Sequence, residues 1–444
     1  MQATVNIVRN RDYDVVVCGG GTAGFCAAVA AARCGARTAV IERWGMLGGT
    51  MTVGGVPAPA LFHAHGRQII AGIGWELMTA LADQGFASLP EPPFDAPHPR
   101  LAVQLNPFQA AVMMDEMARQ AGVELLFHQT AAAVEAEDGH VKAVLTAGPE
   151  GMERNEGRVF IDCSGDGLVS ALAGAEFELC DELQPATLNF VLTGFDPDGL
   201  TVDEVQKKYA EALRCGALTP SDIWGGGAGV FATGRGRGDG LEKCWALNPG
   251  SNLNHVYPLN GANADSRSAG EVQGRREIAR VVRWLNDEIP GYERAYVAAV
   301  SPEVAARESR RILGNAYMTG DDYIRGVCPA DAVCYSFYPI DVHRGDTETM
   351  LDNEFHERGR VPGVPYGALV ARGFDNLMMA GRIASGDRRA QSAYRVQASC
   401  MAMGQAAGTA AAMAATLNGR ADAVNVSELR ARLAEDGAIV PGIG

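Results

Sequence analysis

The chain begins with a short apolar run followed by a helical pattern and a second apolar run. Residues 14–18 are almost continuously apolar, which is typical of a buried parallel strand. After a glycine cluster, Ala-rich sequence from 22 to 34 predicts a helix, with Gly35 where helices commonly end. Residues 37–41 predict another strand that leads into Glu42. The pattern therefore indicates a β-strand, α-helix, β-strand unit at the start of the chain.

The next part of the chain alternates between irregular and regular patterns. Residues 51–105 are rich in Gly, Pro and His, which predicts loops with one helix near 74–84. Regular elements then return as a helix at 107–120, a strand at 123–127, a hairpin at 131–147 that turns at Asp138-Gly139, and a strand at 159–162.

The middle of the chain, 183–347, is less periodic. It contains a glycine-rich loop at 233–240 and an amphipathic helix at 269–288. The first pattern returns near the end, with a strand at 377–380 and a long helix at 399–417 that carries no charge. Ala, Gly and Met dominate that helix and would gain little from lipid, so we expect it to be buried inside the protein.

The glycine cluster fits the spacing G-x-G-x-x-G at Gly19, Gly21 and Gly24. Alone this is a weak signal, but it follows a strand, opens a helix and precedes Glu42 by about 20 residues. Gly19 permits the tight turn, Gly21 lets the backbone approach a pyrophosphate, and Gly24 lets the helix press on the strand. The helix N-terminus then offers free N–H groups to the phosphates, and Glu42 can accept hydrogen bonds from ribose hydroxyls.

These patterns predict an α/β fold: a Rossmann-like dinucleotide-binding domain around a central parallel sheet, which the resemblance described below makes a FAD-binding domain, with a mixed α+β substrate domain inserted in the chain. We assign the segments 1–60, 105–182 and 348–444 to the first domain. The segments 61–104 and 183–347 are assigned to the second, substrate or cap domain.

Composition and charge narrow the choice of partner. The formal net charge of −15 disfavours nucleic acid and anionic membrane as main partners. The ten cysteines show no Cys-x-x-Cys pair, which favours a reducing cytoplasm without a disulfide framework. We expect a small polar substrate and no metal; a homo-oligomer is compatible with the sequence.

Several motifs in order make the chain resemble the FAD-dependent oxidoreductases of the glutathione-reductase-like class. A second glycine pair, Gly48-Gly49, follows the first motif closely. The resemblance continues through the stretches 162–167 (DCSGDG), 308–314 (ESRRILG), 338–343 (YPIDVH), 376–382 (NLMMAGR) and 395–408 (RVQASCMAMGQAAG).

This resemblance implies FAD as cofactor and a role for each matching position. The first glycine motif would hold the pyrophosphate, Glu42 the adenosine ribose, and the backbone near Ala132 the adenine. The residues implied to line the cofactor are Gly19, Gly21, Thr22, Ala23, Gly24, Glu42, Arg43, Gly48, Gly49, Thr50, Ala132, Ser164, Gly165, Gly381, Arg382, Val396, Gln397 and Ala398.

Candidates for catalysis beyond the flavin are weaker. His343 could act as a general base, although a histidine at a strand end is more often structural. His63 could contact substrate, and Arg311 or its neighbour Arg310 could bind a carboxylate or phosphate. Arg235 and Arg237 could belong to a lid, although a solvated loop is the more common case.

The resemblance implies a dehydrogenase or oxidase in which a small polar substrate gives hydride to flavin N5. A flavin monooxygenase, an electron-transfer subunit of a redox complex and a flavin-free nicotinamide dehydrogenase stay open as alternatives. O₂, a quinone, NAD(P) and a partner protein stay open as electron acceptors.

Overall fold

A computed structural model of the chain describes residues 6–95, 100–196, 199–223, 253–344, 351–354 and 359–443, the backbone alone at 351–354. The glycine-rich loop with Arg235 and Arg237 lies outside these residues, as does the predicted boundary at 347/348.

The described part is built around one seven-stranded sheet in the order β7-β2-β1-β10-β9-β8, with β19 also paired to β10. Its members are β1 (Ile7–Cys18), β2 (Thr38–Glu42), β7 (Glu124–Phe127), β8 (Thr130–Glu137), β9 (His140–Gly148), β10 (Gly151–Asp162) and β19 (Leu377–Met379). β1, β2, β7, β10 and β19 are parallel, whereas β8 and β9 are antiparallel. The α/β fold with a mainly parallel central sheet is thereby confirmed.

The twelve remaining strands are short and pair two by two. They are β3 (His63–Ala64) with β4 (Arg67–Gln68), β5 (Ala87–Ser88) with β6 (Gln104–Leu105), β11 (Phe177–Glu178) with β14 (Arg311–Ile312), β12 (Phe190–Thr193) with β13 (Tyr296–Val300), β15 (Ala332–Tyr335) with β18 (Gly363–Pro365), and β16 (Ile340–His343) with β17 (Leu351–Glu354).

The helices of the described residues are labelled α1 to α10. They are α1 (Thr22–Arg33), α2 (Ile73–Asp83), α3 (Pro107–Ala121), α4 (Leu168–Ala173), α5 (Val202–Cys215), α6 (Ala264–Glu288), α7 (Gly320–Ile324), α8 (Arg388–Tyr394), α9 (Gln397–Thr416) and α10 (Val426–Glu435). Among the residues described, no helix is both long and apolar enough to cross a membrane.

Two strands begin well before the apolar runs that predicted them. β1 begins at Ile7 and β10 at Gly151, because their polar first halves pair with each other, Asp12 lying opposite Glu156. The predicted hairpin is β8 and β9, and its turn holds Asp138 and Gly139 at φ 50° and 77°. Long-range pairing, which an apolar run cannot reveal, therefore extends both strands.

The long helix of small residues, α9, is buried as expected and lies against α1. A Cβ added to Gly404 would lie 2.1 Å from the carbonyl oxygen of Ala23, and one added to Gly408 would lie 2.1 Å from that of Ala27. The two glycines therefore allow the helix backbones to touch, which explains their presence inside a helix despite a cost of about 1 kcal/mol each relative to Ala.

The apolar core is divided. One large cluster joins α1, α2, α3 and α9 beneath the sheet, and a separate cluster consists of residues from 186 to 306. Phe62, Ile69 and Leu77 pack into the large cluster, although the segment 61–104 was assigned to the cap domain. The domain boundaries stay a prediction, but this segment packs with the sheet and its helices.

Candidate active site

A groove of about 430 Å³ lies at the carboxyl edge of the parallel strands. Its wall includes Cys18, Glu42, Cys163 and Ala380, which lie at or just beyond the ends of β1, β2, β10 and β19. Open α/β sheets bind ligands at this edge, and the volume is in the usual range for small-molecule sites, about 300–1,000 Å³.

The first glycine motif forms the floor of the groove, and its three glycines have three different surroundings. Gly19 has φ +103°, and a Cβ there would lie 2.4 Å from the carbonyl oxygen of Cys163. A Cβ on Gly24 would lie 1.7 Å from the carbonyl oxygen of Gly19, so only glycine permits this contact. Gly21 lines the groove, and a Cβ on it would meet nothing closer than 3.9 Å.

The N-terminus of α1 opens into the same groove. Gly21 is its N-cap and makes no side-chain capping bond, and the first turn holds no acidic residue. Thr22 and Ala23 line the groove beside it. Free N–H groups and the positive end of the helix dipole are thus directed at the groove, as an anionic diphosphate requires.

Glu42 is buried at the end of β2, and its carboxylate connects two loops. Its oxygens accept hydrogen bonds from the N–H groups of Gly20 at 2.7 Å and Trp44 at 2.9 Å. Burial raises the pKa of Glu42, and those two bonds oppose the rise. Each oxygen keeps a second lone pair for a ribose hydroxyl.

The second glycine pair, Gly48-Gly49, packs directly against the first glycine motif. The N–H of Gly48 donates to the carbonyl oxygen of Gly20 at 2.8 Å, and a Cβ on Gly49 would lie 2.9 Å from the Cα of Gly21. Gly49 and Thr50 line the groove, whereas Gly48 supports them from behind.

Ser164 and Gly165 line the groove where β10 ends. The Oγ of Ser164 donates to Asp162 at 2.6 Å and accepts from the N–H of Leu168 at 3.0 Å. A Cβ on Gly165 would lie 2.7 Å from the guanidinium of Arg382, so this loop lies directly against that side chain. Gly381 and Arg382, just beyond the end of the neighbouring parallel strand β19, also line the groove.

Charged residues form a continuous network along the groove. Arg382 pairs with Asp166 at 3.0 Å, Asp166 pairs also with Arg267, and Arg267 lies 3.5 Å from Glu303. Glu303 pairs in turn with Arg43. Burial would raise the pKa of Asp166, but the neighbouring arginines lower it below its ordinary value. We call these five residues the charge belt.

The start of α9 also opens into the groove. Its N-cap, Val396, makes no side-chain capping bond. Gln397 lines the groove and donates from Nε2 to the carbonyl oxygen of Val56 at 2.7 Å. The N–H of Ala398 instead donates to Ala60 at 3.3 Å, so Val396 and Ala398 adjoin the groove without lining it. Ala132 is likewise outside the lining, which instead includes its neighbours Gln129, Thr130 and Ala131.

The predicted catalytic residues are not among those that line the groove. His63 is buried against Phe94, with ring centroids 3.9 Å apart. Arg311 is buried and pairs with Glu308 at 2.8 Å, which indicates a structural ion pair rather than a free anion site. Its neighbour Arg310 does line the groove, where it donates to the carbonyl oxygen of Asp166 at 3.0 Å.

His343 lies behind the groove. Its Nδ1 is 3.1 Å from Nε2 of His255, and its Nε2 is 3.1 Å from Asp341, which also contacts the groove-lining Arg395 at 3.4 Å. Burial, aided by the charge of Arg307, lowers the pKa of His343 to about 4, so the ring is neutral at pH 7. His343 therefore reaches the groove through Asp341 and Arg395. Its role as a general base stays a prediction.

Cys400 lines the groove near the start of α9 but has the properties of a buried thiol. Burial raises its pKa to about 12, and its Sγ lies 3.1 Å from the carbonyl oxygen of Arg395. A reactive thiolate is not expected at this position.

Among the charged residues of the groove lining, the sequence analysis missed Asp166, which lies inside a quoted motif, and four others: Arg267, Glu303, Arg307 and Arg395. Arg395 belongs to the last quoted motif, so its position beside Val396 was a usable signal. The other three come from the irregular middle of the chain, where no spacing or periodicity marks them.

The groove fits the cofactor that the motifs imply. Five buried polar atoms of its lining have no hydrogen-bond partner in the part of the chain that the structure describes: Trp44 Nε1, Arg310 Nε, Arg382 Nε, Arg395 Nε and Gln397 Oε1. Buried polar atoms are rarely left without partners, so a polar ligand along the groove is the simplest explanation.

Comparison with known proteins agrees with this geometry. The family described as FAD dependent oxidoreductase matches residues 14–433. A dihydrolipoyl dehydrogenase of Trypanosoma brucei brucei is 55% identical over 53 residues, and a soluble pyridine nucleotide transhydrogenase of Marinomonas sp. (strain MWYL1) is 52% identical over 65 residues. These matches cover 12% and 14% of this chain and 11% and 14% of the relatives.

A solved structure similar to this chain is the geranylgeranyl bacteriochlorophyll reductase-like protein of Thermoplasma acidophilum, with a TM-score of 0.44 and 12% identity. The similarity covers 96% of this chain and 84% of that one. The family match spans almost the whole chain, from β1 to α10, and includes the groove with its glycine motif. The chain therefore belongs to the FAD-dependent oxidoreductase family and is an enzyme that uses FAD.

Proposed function

We propose that the enzyme is a dehydrogenase or oxidase that removes hydride from a small polar molecule. The observation that carries this proposal is the end of the groove formed by Arg307, Arg395 and Gln397, which we call the arginine end. It is polar, and Arg395 Nε and Gln397 Oε1 have no hydrogen-bond partner among the described residues. A substrate with hydrogen-bonding groups would satisfy them, whereas an apolar substrate would leave them unpaired.

Each part of the groove has a task in this proposal. The N-terminus of α1 and the open face at Gly21 bind the diphosphate, and Glu42 binds the ribose. The N-terminus of α9 stabilises negative charge that develops beside it during reduction. When bound, FAD supplies the hydride acceptor at flavin N5.

The residues behind the arginine end hold it in place. Asp341 bonds both His343 and Arg395, and burial would raise its pKa, but the bond to His343 and the nearby arginines lower it below its ordinary value. Asp341 is therefore ionised at neutral pH and orients the guanidinium of Arg395 toward the groove.

The short matches to dihydrolipoyl dehydrogenase carry no argument about the reaction, because they cover only about a tenth of those proteins. A disulfide reductase reaction also has no support in the groove, since its Cys163 and Cys400 are buried thiols with raised pKa values.

The proposal is tested by anaerobic reduction of the purified holoenzyme. The bound flavin should bleach when a member of a panel of sugars, hydroxy acids and amines is added. Reoxidation by O₂ then identifies an oxidase, and reoxidation by a quinone or NAD(P) but not by O₂ identifies a dehydrogenase. Flavin that no panel member reduces, but that NADPH reduces and O₂ reoxidises with hydroxylation of an added compound, would replace the proposal with a monooxygenase.

A further inference from the structure

The arginine end of the groove contains a buried cation that has no carboxylate partner among the residues that the structure describes. Arg307 is 7% exposed, and its guanidinium donates to the carbonyl oxygen of Pro185 at 2.5 Å and to Thr187 Oγ1 at 3.0 Å. These two bonds use two of its five N–H donors. Both partners are neutral, so the positive charge is positioned by them but not balanced.

Among the described residues, the two charges that act most strongly on Arg307 leave an excess of one positive charge. The positive charge of Arg395 repels that of Arg307, and the negative charge of Asp341 attracts both arginines. Asp341 also bonds His343, so it serves two partners. Burial and the charge of Arg395 lower the pKa of Arg307 to about 9, so the group stays charged at neutral pH. Two arginines and one ionised aspartate thus sum to +1.

A buried excess charge of this kind is costly unless an anion accompanies it. The chain itself is acidic, with a net charge of −15, and so provides no general reason to concentrate arginines here. The position is also suitable for a ligand, since Arg307 and Arg395 both line the groove and no described residue hydrogen-bonds Nε of Arg395.

We propose that the substrate carries a carboxylate, and that Arg307 and Arg395 bind it at the arginine end of the groove. This inference rests on the proposed function, because it names the class of molecule that the same site would oxidise. A single carboxylate matches the local charge of +1, whereas a phosphate dianion would exceed it. Planar guanidinium groups also match the geometry of a carboxylate.

The test uses the holoenzyme and a readout that needs no turnover. Acetate and propionate are titrated into the oxidised enzyme, and the change in the flavin absorption spectrum is followed; acetamide and inorganic phosphate serve as the neutral and dianionic probes. We expect saturable changes with the carboxylates, none with acetamide, and weaker binding of phosphate.

Substitution then assigns the site. Arg395→Lys and Arg307→Lys keep the charge but lose the planar fork, and each should raise the carboxylate Kd about tenfold or more, since a hydrogen bond between charged groups is lost. Arg119→Gln, on the exposed face of α3, is the matched control and should leave the Kd unchanged. Arg307 also forms a structural hydrogen bond with Thr187, so its replacement tests folding as well as binding. If Arg307→Lys does not fold, Arg395→Lys decides the outcome.

The outcomes separate this inference from the proposed function. If carboxylates perturb the flavin but no substrate of the panel reduces it, the carboxylate site stands and the proposed reaction fails. If neutral sugars or amines reduce the flavin while carboxylates neither bind nor react, the reaction stands and the carboxylate site is overturned. Tighter binding of phosphate, or arginine variants that weaken FAD binding alone, would also overturn it.

Discussion

At the scale of single residues, the environment of a side chain decides what its chemistry can do. His63 and His343 were both singled out as candidates, but both are buried, and burial lowers the pKa of each to about 4. His63 stacks on Phe94 and its Nδ1 has no partner, so the ring acts here as part of an aromatic cluster. Glu42, in contrast, is buried with its carboxylate bonded and still borders the groove.

A pH dependence of stability follows from His63. Its folded pKa of about 4 lies below the ordinary value of 6.5, so the unfolded chain binds more protons between these values. The stability that the neutral ring of His63 gives the folded state is fully present above pH 6.5. It is lost as pH falls toward 4, which lowers the free energy of unfolding by up to about 3 kcal/mol. Urea unfolding of His63→Phe and wild type at pH 7 and pH 5 should show a smaller loss of stability in the variant. Equal losses would mean that His63 is not buried in its neutral form.

At the scale of elements, the contact between α1 and α9 positions two helix N-termini at one groove. Gly404 and Gly408 bring the backbones together, and each helix then begins at the groove without a side-chain cap. The small residues of α9, which would gain little from lipid, therefore serve the packing of an internal helix.

Gly404→Ala should destabilise the protein even though Ala favours helices. The added methyl would lie 2.1 Å from the backbone carbonyl of Ala23, which cannot move away without shifting α1. Overpacking of this kind costs typically 1–3 kcal/mol, more than the gain of about 1 kcal/mol in helix propensity. Thermal unfolding should show a lower Tm, and fluorescence titration of the apoprotein should show weaker FAD binding. Ala402→Ser, half-buried on the same helix, is the control; a Gly404→Ala variant as stable as this control would contradict the packing argument.

At the scale of the whole molecule, the groove is completed by parts of the chain far apart in sequence. The charge belt joins Arg43 and Asp166 beside the sheet to Arg267 and Glu303 in the middle segment. The middle segment therefore covers the cofactor groove through ion pairs, and such pairs weaken as salt rises.

Glu303→Gln should weaken the ion pairs that hold the middle segment against the groove. Arg43 would lose its carboxylate partner, and Arg267 one of its two. We expect the rate of FAD release to rise several-fold and to depend less on salt than in wild type, because partly buried ion pairs contribute on the order of 1 kcal/mol. Release can be followed by the increase in flavin fluorescence. Glu288→Gln, which removes an exposed ion pair with Lys208, should leave the rate unchanged. A Glu303→Gln rate equal to wild type at all salt concentrations would show that the belt does not retain FAD.

The sequence was informative wherever the signal is local. The glycine spacing from Gly19 to Gly24, the strand before it and Glu42 after it predicted the floor of the groove, because a tight turn and a close helix contact impose glycine at particular positions. The same holds for the hairpin turn at Asp138-Gly139 and for α9, whose composition indicated close packing.

Non-local packing decided the parts of the site that no local sequence pattern predicted. Neither the burial of His343 behind Asp341 nor the ion pair of Arg311 with Glu308 is encoded in a spacing. Arg267, Glu303 and Arg307 reach the groove because the middle segment folds back over the sheet, which brings residues more than 200 positions apart into contact with the first βα unit. An arginine in a sequence has no sign of which carboxylate it will meet. Among the described residues, the fold pairs Arg43, Arg267 and Arg382 with carboxylates, whereas Arg307 bonds neutral oxygens, because only the packing of distant segments decides which groups come together.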